Sequence, residues 1–117
     1  MVKRNNKKTK YIDFEDFELR CKDIADCICK NKNIKNIFGI PRGGTIPATR
    51  IAYLTGLPLT FAPNGTHTAV IDDCIDSGNT KHSFGNFPYF YVLVDKQFEE
   101  IKEWLLFWWE DDQMNED

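Results

Sequence analysis

Three aspartates and a short polar loop follow one apolar run, and these residue types in this order could hold a sugar phosphate. Residues 69–71 are apolar, Asp72 and Asp73 come next, and Asp76 follows after two more residues. The loop that comes after Asp76 consists of Ser77, Gly78, Asn79 and Thr80. Backbone N–H groups and hydroxyls of such a loop can surround a phosphate, and the carboxylates suit ribose hydroxyls or a magnesium ion. The alternative is an acidic surface turn after a strand.

A second group of residues, earlier in the chain, suits another anion. Pro41, Arg42, Gly43 and Gly44 stand between an apolar stretch and a predicted helix. Paired glycines let the backbone approach an anion closely, the guanidinium of Arg42 matches phosphate geometry, and a helix N-terminus adds partial positive charge. Taken alone, the group is equally a tight strand-to-helix turn with a surface arginine.

The elements that must position these residues have the order of an α/β domain. Apolar periodicity predicts helices over residues 13–30 and 46–55, and the second helix stops at Gly56. Strands are predicted over residues 34–40, 57–61, 68–71 and 89–94, with a short strand or anchor at 11–12 and a helical segment at 99–104. This alternation predicts a mostly parallel sheet. Both polar groups follow strand ends, where open α/β sheets bind ligands.

Length and charge predict one small domain between two charged tails. The chain of 117 residues can bury one core, and we expect a basic disordered tail at 1–10, the domain at 11–111 and an acidic tail at 112–117. A net charge of −3 gives no case for nucleic-acid binding. No segment suits a membrane span or a signal peptide, and the four cysteines lack a metal-binding spacing. We therefore expect a cytoplasmic protein with free thiols and no membrane partner.

Residues 69–80 closely resemble the 5-phosphoribosyl-1-pyrophosphate (PRPP) motif of the type I phosphoribosyltransferases. That motif has four apolar residues, two acids, two apolar residues and then Asp-Ser/Thr-Gly-x-Thr, and Cys74 stands at a normally apolar position. Residues 37–48 resemble the pyrophosphate-binding loop of the xanthine-guanine branch, and residues 104–111 resemble its C-terminal hood segment. The chain thus resembles a shortened xanthine-guanine (purine) phosphoribosyltransferase.

The resemblance implies a fold, a reaction and an assembly. The fold is a small open, mostly parallel twisted sheet with flanking helices and a minimal C-terminal hood. The reaction is that of a pentosyltransferase in purine salvage: ribose 5-phosphate passes from PRPP to a 6-oxopurine (guanine, xanthine or hypoxanthine), and pyrophosphate leaves. Magnesium is the implied cofactor, and the implied assembly is a homodimer.

The resemblance also implies a role for each group of residues. Asp72 and Asp73 would bind the PRPP ribose and the magnesium ion. The 5′-phosphate would be bound by Asp76, Ser77, Gly78, Asn79 and Thr80, with Asp76 also the catalytic base. Pyrophosphate would be bound by Arg42, Gly43 and Gly44, with a cis peptide after Arg42. The purine would be bound by Lys96, Trp104 and Leu105, with the Trp104 indole stacked on the base.

Two other functions stay open at this point. Residues 62–67 are the available loop where full-length relatives carry a mobile catalytic loop that closes over PRPP. A chain that has lost this loop could be a non-catalytic PRPP-binding or nucleotide-binding regulatory protein. A third alternative is an interaction protein whose aromatic C-terminus binds another chain.

Overall fold

The computed structural model describes residues 8–75 and 87–110, which form two helices and five strands. In chain order the elements are β1 (Thr9–Ile12), α1 (Phe14–Cys29), β2 (Asn36–Gly39), α2 (Thr45–Thr55), β3 (Thr68–Ile75), β4 (Phe90–Asp95) and β5 (Trp104–Phe107). The predicted acidic tail at 112–117 lies outside the described residues, as do residues 1–7 of the predicted basic tail. The predicted tail at 1–10 is too long, because Thr9 and Lys10 belong to β1, where they pair with β5. None of the helices in the described ranges is long and apolar enough to cross a membrane.

The strands form two open parallel sheets, and this confirms the predicted α/β fold. In the larger sheet β3 lies between β2 and β4, with Gly39 opposite Ile71 and Ile75 opposite Asp95. In the smaller sheet β1 pairs with β5 from Thr9 opposite Trp104 onward. Because β2 and β3 run in the same direction, their carboxyl ends meet at one edge of the larger sheet.

Local sequence explains where the two helices begin and end. The Asp13 side chain caps α1 by accepting a hydrogen bond from the backbone N–H of Asp16 at 2.8 Å. Helix α1 buries one apolar stripe: Phe17, Cys21, Ile24, Ala25 and Ile28. Helix α2 ends at Gly56, whose φ of 76° lies in the left-handed region that glycine adopts without a Cβ clash.

Three predicted elements differ from the structure. The stretch 57–61 is not a strand but a single bridge between Leu59 and Ile37. The predicted helical segment at 99–104 is wrong, since 96–100 is a turn and Trp104 begins β5. Strand β3 continues past Ile71 to Ile75 because its second half pairs with β4. Whether such segments form strands depends on pairing with strands that are distant in the sequence, and local sequence does not determine that pairing.

Two arginine–glutamate pairs connect α1 to its neighbours. The Arg50 guanidinium, on α2, donates to both carboxylate oxygens of Glu18, at 2.8 and 2.5 Å. The Arg20 guanidinium donates to both carboxylate oxygens of Glu99, at 2.8 and 3.0 Å. One pair thus joins α1 to α2, and the other joins α1 to the turn that follows β4.

One hydrophobic core runs through both sheets. It includes Ile12 and Phe107 from the smaller sheet and Ile37 and Ile71 from the larger sheet. Phe17, on α1, is the bridge: its ring lies edge-on to Trp108 and Trp109, with centroids 5.4 and 5.6 Å away. The core therefore fixes the C-terminal aromatic residues relative to the larger sheet.

Candidate functional site

The candidate site lies where the turn at residues 41–44 meets the carboxyl half of β3. The N–H of Ile40 donates to the carbonyl of Ile71 at 2.9 Å, so β2 remains bonded to β3 at the start of the turn. The N–H of Gly44 donates to the carbonyl of Ile40 at 2.8 Å and closes the turn. Helix α2 begins at the next residue, so its N-terminal end points toward the turn.

The two glycines of the turn lie against different atoms. A Cβ on Gly43 would collide with the carboxylate of Asp73, whereas a Cβ on Gly44 would lie 2.5 Å from the carbonyl oxygen of Ile71. A side chain at Gly43 would therefore meet a carboxylate, whereas a side chain at Gly44 would meet the backbone of β3. The structure thus brings together the predicted residues Arg42, Gly43 and Asp73.

The expected cis peptide occurs one bond earlier than predicted. The peptide between Pro41 and Arg42 is cis, not the peptide that follows Arg42. The carbonyl of Arg42 accepts hydrogen bonds from both the hydroxyl and the N–H of Thr45, at 2.6 and 3.2 Å. The first turn of α2 thus fixes the backbone that carries the Arg42 guanidinium.

A cavity of about 580 Å³, which we call the site cavity, opens over this turn. Its lining residues are Pro41, Arg42, Gly43, Ile46, Asp73, Trp109 and Glu110. The sequence reasoning assigned no role to Ile46, Trp109 or Glu110. A signal for the last two existed, since Trp109 and Glu110 complete the hood-like segment at residues 104–111.

The two adjacent carboxylates of β3 have different surroundings. Successive residues of a strand point to opposite faces, and Asp73 lines the site cavity while Asp72 is only 6% exposed. Burial raises the pKa of Asp72 well above its ordinary value, and a hydrogen bond with the Asp73 side chain adds to the shift. An Asp72 carboxylate oxygen also accepts the N–H of Asp73 at 2.9 Å. Asp73 is thus the carboxylate that faces the site cavity.

Aromatic residues pack around Trp109, which lines the site cavity. The rings of Phe107 and Trp109 are stacked, with centroids 4.5 Å apart and planes 7° apart. The N–H of Phe107 donates to a carboxylate oxygen of Glu110 at 2.9 Å, which fixes the short turn at residues 108–110. The indole N–H of Trp108 is buried without a hydrogen-bond partner in the described part of the chain. These contacts hold Trp109 and Glu110 in place at the cavity.

The three residues predicted to bind the purine are placed away from the described lining of the site cavity. Lys96 follows β4 and lines a separate cavity of about 350 Å³, although its backbone N–H donates to the carbonyl of Ile75 at 3.0 Å. Trp104 is 45% exposed at the start of β5, and Leu105 is half-buried beside it. Lys96 therefore lies next to the end of β3, and the other two lie on the smaller sheet.

The predicted 5′-phosphate loop is outside the described residues. This applies to every residue assigned to it: Asp76, Ser77, Gly78, Asn79 and Thr80. The described part of β3 ends at Ile75, so the structure gives the position where the loop begins.

The donor atoms at the site cavity fit a magnesium ion that arrives with a phosphorylated ligand. Within residues 8–75 and 87–110 no group of three His, Cys, Asp or Glu side chains could hold a metal ion by itself. Magnesium is usually held by one or two carboxylates, several waters and the phosphates of a substrate. The cavity-facing carboxylate of Asp73, beside Arg42, suits that mode of binding.

Comparison with solved structures identifies the fold. The chain superposes on the purine phosphoribosyltransferase of Pyrococcus horikoshii Ot3 with a TM-score of 0.65 and 18% identity, over 87% of this chain and 94% of that one. It superposes on the xanthine-guanine-hypoxanthine phosphoribosyltransferase of Helicobacter pylori with a TM-score of 0.68 and 16% identity, over 93% and 97% of the chains. No family model and no curated protein sequence matches the chain. The chain therefore has the fold of these two phosphoribosyltransferases.

Proposed function

We propose that the chain is a phosphoribosyltransferase that transfers ribose 5-phosphate from PRPP to a 6-oxopurine and releases pyrophosphate. The observation that carries the proposal is the meeting of Arg42, Gly43 and Asp73 at one cavity, at the carboxyl ends of β2 and β3. The fold shared with two purine phosphoribosyltransferases supports the same reaction.

The 41–44 turn would bind the leaving group. During the transfer positive charge develops on the sugar and negative charge on pyrophosphate. The guanidinium of Arg42 and the N-terminal end of α2 would stabilise that negative charge. The Arg42 carbonyl is bonded to Thr45, so its guanidinium starts from a fixed backbone. Gly43 leaves room for both the ligand and Asp73.

Asp73 would bind the ribose side of PRPP, and Asp72 would support it. Asp73 faces the site cavity and can accept hydrogen bonds from ribose hydroxyls. Magnesium, when bound with PRPP, would be held by Asp73 and would neutralise charge on the pyrophosphate. Asp72 is assigned by the resemblance to the same ligands, and its bond to the Asp73 N–H fixes the backbone of that residue.

The other assignments of the resemblance belong to this proposal. Asp76 would act as the base toward the purine nitrogen, and residues 77–80 would bind the 5′-phosphate. Lys96, Trp104 and Leu105 would contact the purine, and the position of Lys96 beside the end of β3 supports its part. The homodimer and the cytoplasmic location are proposed with them. Tyr53 and Phe61, which are 76% and 94% exposed, support an interface between copies.

A non-catalytic PRPP-binding or nucleotide-binding protein is the second candidate. The loop between α2 and β3 is the observation that favours it. The N–H of Ile37 donates to Pro58 and the N–H of Thr60 donates to Ile37, at 2.9 and 2.8 Å, so this part of the loop is bonded to the sheet. Only the remainder of the loop is available to close over a ligand, and a catalytic lid needs such a movement.

Pyrophosphate release measured with PRPP, magnesium and each of guanine, xanthine, hypoxanthine and adenine tests the proposal. We expect release with an oxopurine, loss of release in Asp76→Asn, and a fall of about 100-fold in kcat/KM in Arg42→Met. Arg50→Met is the matched control, since it removes an arginine of α2 that contacts Glu18 instead of the site cavity. PRPP binding without release would support the regulatory protein, and absence of both would contradict the two candidates together.

A further inference from the structure

The guanidinium of Arg20 joins three parts of the fold. Its Nε donates to Asp16 on α1 at 2.8 Å, and its Nη1 donates to the backbone carbonyl of Leu93 in β4 at 3.1 Å. Its Nη1 and Nη2 donate to the two carboxylate oxygens of Glu99 at 2.8 and 3.0 Å. A planar fork that meets a carboxylate through two bonds fixes direction as well as distance.

In the sequence, Lys96 lies midway between Leu93 and Glu99, the two residues outside α1 to which Arg20 donates hydrogen bonds. Leu93 is three residues before it, and Glu99 is three residues after it. The turn between them, which with its closing residues we call the 95–101 turn, is closed by backbone bonds from the N–H of Glu99 to the carbonyl of Asp95 at 3.0 Å and from the N–H of Ile101 to the carbonyl of Lys96 at 2.9 Å. A displacement of Glu99 would therefore move the backbone of Lys96.

The same turn is bonded to the end of β3. The N–H of Lys96 donates to the carbonyl of Ile75, the last described residue before the predicted 5′-phosphate loop. The side chains of Arg20 and Glu99 are 21% and 29% exposed, so their pair is partly shielded from water and from salt. Arg20 thus acts from α1 on a residue that the resemblance assigns to the purine.

We propose that Arg20 is a positioning residue for Lys96, holding its turn in the orientation that lets the ammonium group bind a ring carbonyl oxygen of the acceptor base. This inference rests on the proposed function, because the acceptor is the 6-oxopurine of that reaction. Arg20 itself touches no substrate. Its removal should weaken binding of the base and leave binding of PRPP through the 41–44 turn unchanged.

The chain contains a matched control for this inference. Arg50 makes an equivalent two-bond pair with Glu18, also on α1, but that pair joins α1 to α2 instead of to the 95–101 turn. Arg50→Met removes the same kind of ion pair from the same helix. A merely structural role for Arg20 would give the two variants the same kinetic result.

Steady-state kinetics on the full chain test the proposal, with Arg20→Met, Arg50→Met, Lys96→Met and the Arg20→Met/Lys96→Met double variant. We expect Arg20→Met to raise the KM for the base about tenfold, with an unchanged KM for PRPP. Arg50→Met should leave both KM values unchanged. In the Lys96→Met background Arg20→Met should have no further effect on the KM for the base. Arg20→Lys should restore part of the loss, since lysine keeps the charge without the fork.

If Arg20→Met does not fold, Glu99→Gln can replace it, because this change removes the negative charge of the pair but keeps one acceptor oxygen. It should raise the KM for the base by a smaller factor. An equal rise of both KM values, or an undiminished Arg20→Met effect in the Lys96→Met background, would overturn the inference while the unaltered chain still turns over an oxopurine. An unaltered chain with neither turnover nor purine nucleotide binding would overturn the proposed function, and this inference with it.

Discussion

At the scale of single residues, the adjacent glycines of the 41–44 turn contact different kinds of atoms. Gly43 lies against the movable carboxylate of Asp73, whereas Gly44 lies against the backbone oxygens of Ile71 and Ile40. We expect Gly43→Ala to lower the free energy of unfolding by less than about 1 kcal/mol, because the carboxylate can rotate away, and to remove most PRPP-dependent turnover. Gly44→Ala should cost about 1–3 kcal/mol, because backbone atoms must move.

Urea unfolding and pyrophosphate release, measured on both variants, check this prediction. Gly56→Ala is the control: its Cβ would meet no atom, but the positive φ of Gly56 disfavours any side chain, so only stability should fall. Full activity in Gly43→Ala would show that Asp73 tolerates displacement and would contradict its assignment to the substrate.

Single residues also show what the sequence could predict of the site. Arg42, Gly43 and Asp73 could be predicted together, because each follows a predicted strand and parallel strand ends share an edge. Trp109 and Glu110 could not be placed there by local patterns, because their position depends on β5 pairing with β1. The opposite environments of Asp72 and Asp73 follow from β3 running past Ile71, which local sequence did not indicate.

At the scale of elements, the Arg20–Glu99 pair should make the attachment of α1 to the 95–101 turn depend on pH. The hydrogen bond from Arg20 lowers the pKa of Glu99 below its ordinary value of 4.5. A lowered folded-state pKa contributes stability above the unfolded pKa, and this stability is lost as pH falls through the folded one. We expect Glu99→Gln to lower the free energy of unfolding by about 1 kcal/mol at pH 7.

The same difference should shrink as the pH falls below about 4.5, because Glu99 of the unfolded wild-type chain then binds a proton more readily than Glu99 of the folded chain, whose pKa is lower. At still lower pH the folded carboxyl is protonated too and resembles the amide. Urea unfolding of both chains from pH 7 to pH 3 measures the difference. Asp23→Asn, at an exposed position of α1, controls for the loss of one negative charge. A difference that stays constant over this range would mean that Glu99 is not stabilised as the anion.

Elements differ in how far their own sequence determines them. Helices α1 and α2 were predictable because Asp13 and Gly56 mark their ends and an apolar stripe marks the buried face of α1. Strand β5 was not, because the run Trp104–Phe107 is short and apolar and periodicity alone cannot distinguish a strand from a helix there. Pairing with β1, which is distant in the sequence, makes this run a strand.

At the scale of the whole molecule, a single core predicts a single unfolding transition. All three tryptophans lie in residues 104–109, so their fluorescence reports on β5 and the turn after it, whereas far-UV circular dichroism is dominated by α1 and α2. We expect both signals to change at the same urea concentration, because Phe17 packs α1 against Trp108 and Trp109.

Phe17→Ala should shift both transitions together and cost about 3–5 kcal/mol, as deletion of a buried aromatic ring does. Phe17→Leu, which keeps most of the apolar volume, should cost less. Separate midpoints for fluorescence and circular dichroism in the unaltered chain would mean that the smaller sheet unfolds independently, and the site cavity would then be lost before the larger sheet.

The pairing of β1 with β5 has a consequence for synthesis of the protein. The first described strand pairs with the last, so β1 leaves the ribosome long before its partner has been made. The wall of the site cavity formed by Trp109 and Glu110 follows directly after that partner. A nascent chain can therefore assemble its helices and the first strands of its larger sheet early, but it can complete the site only after β5 and residues 109–110 have been translated.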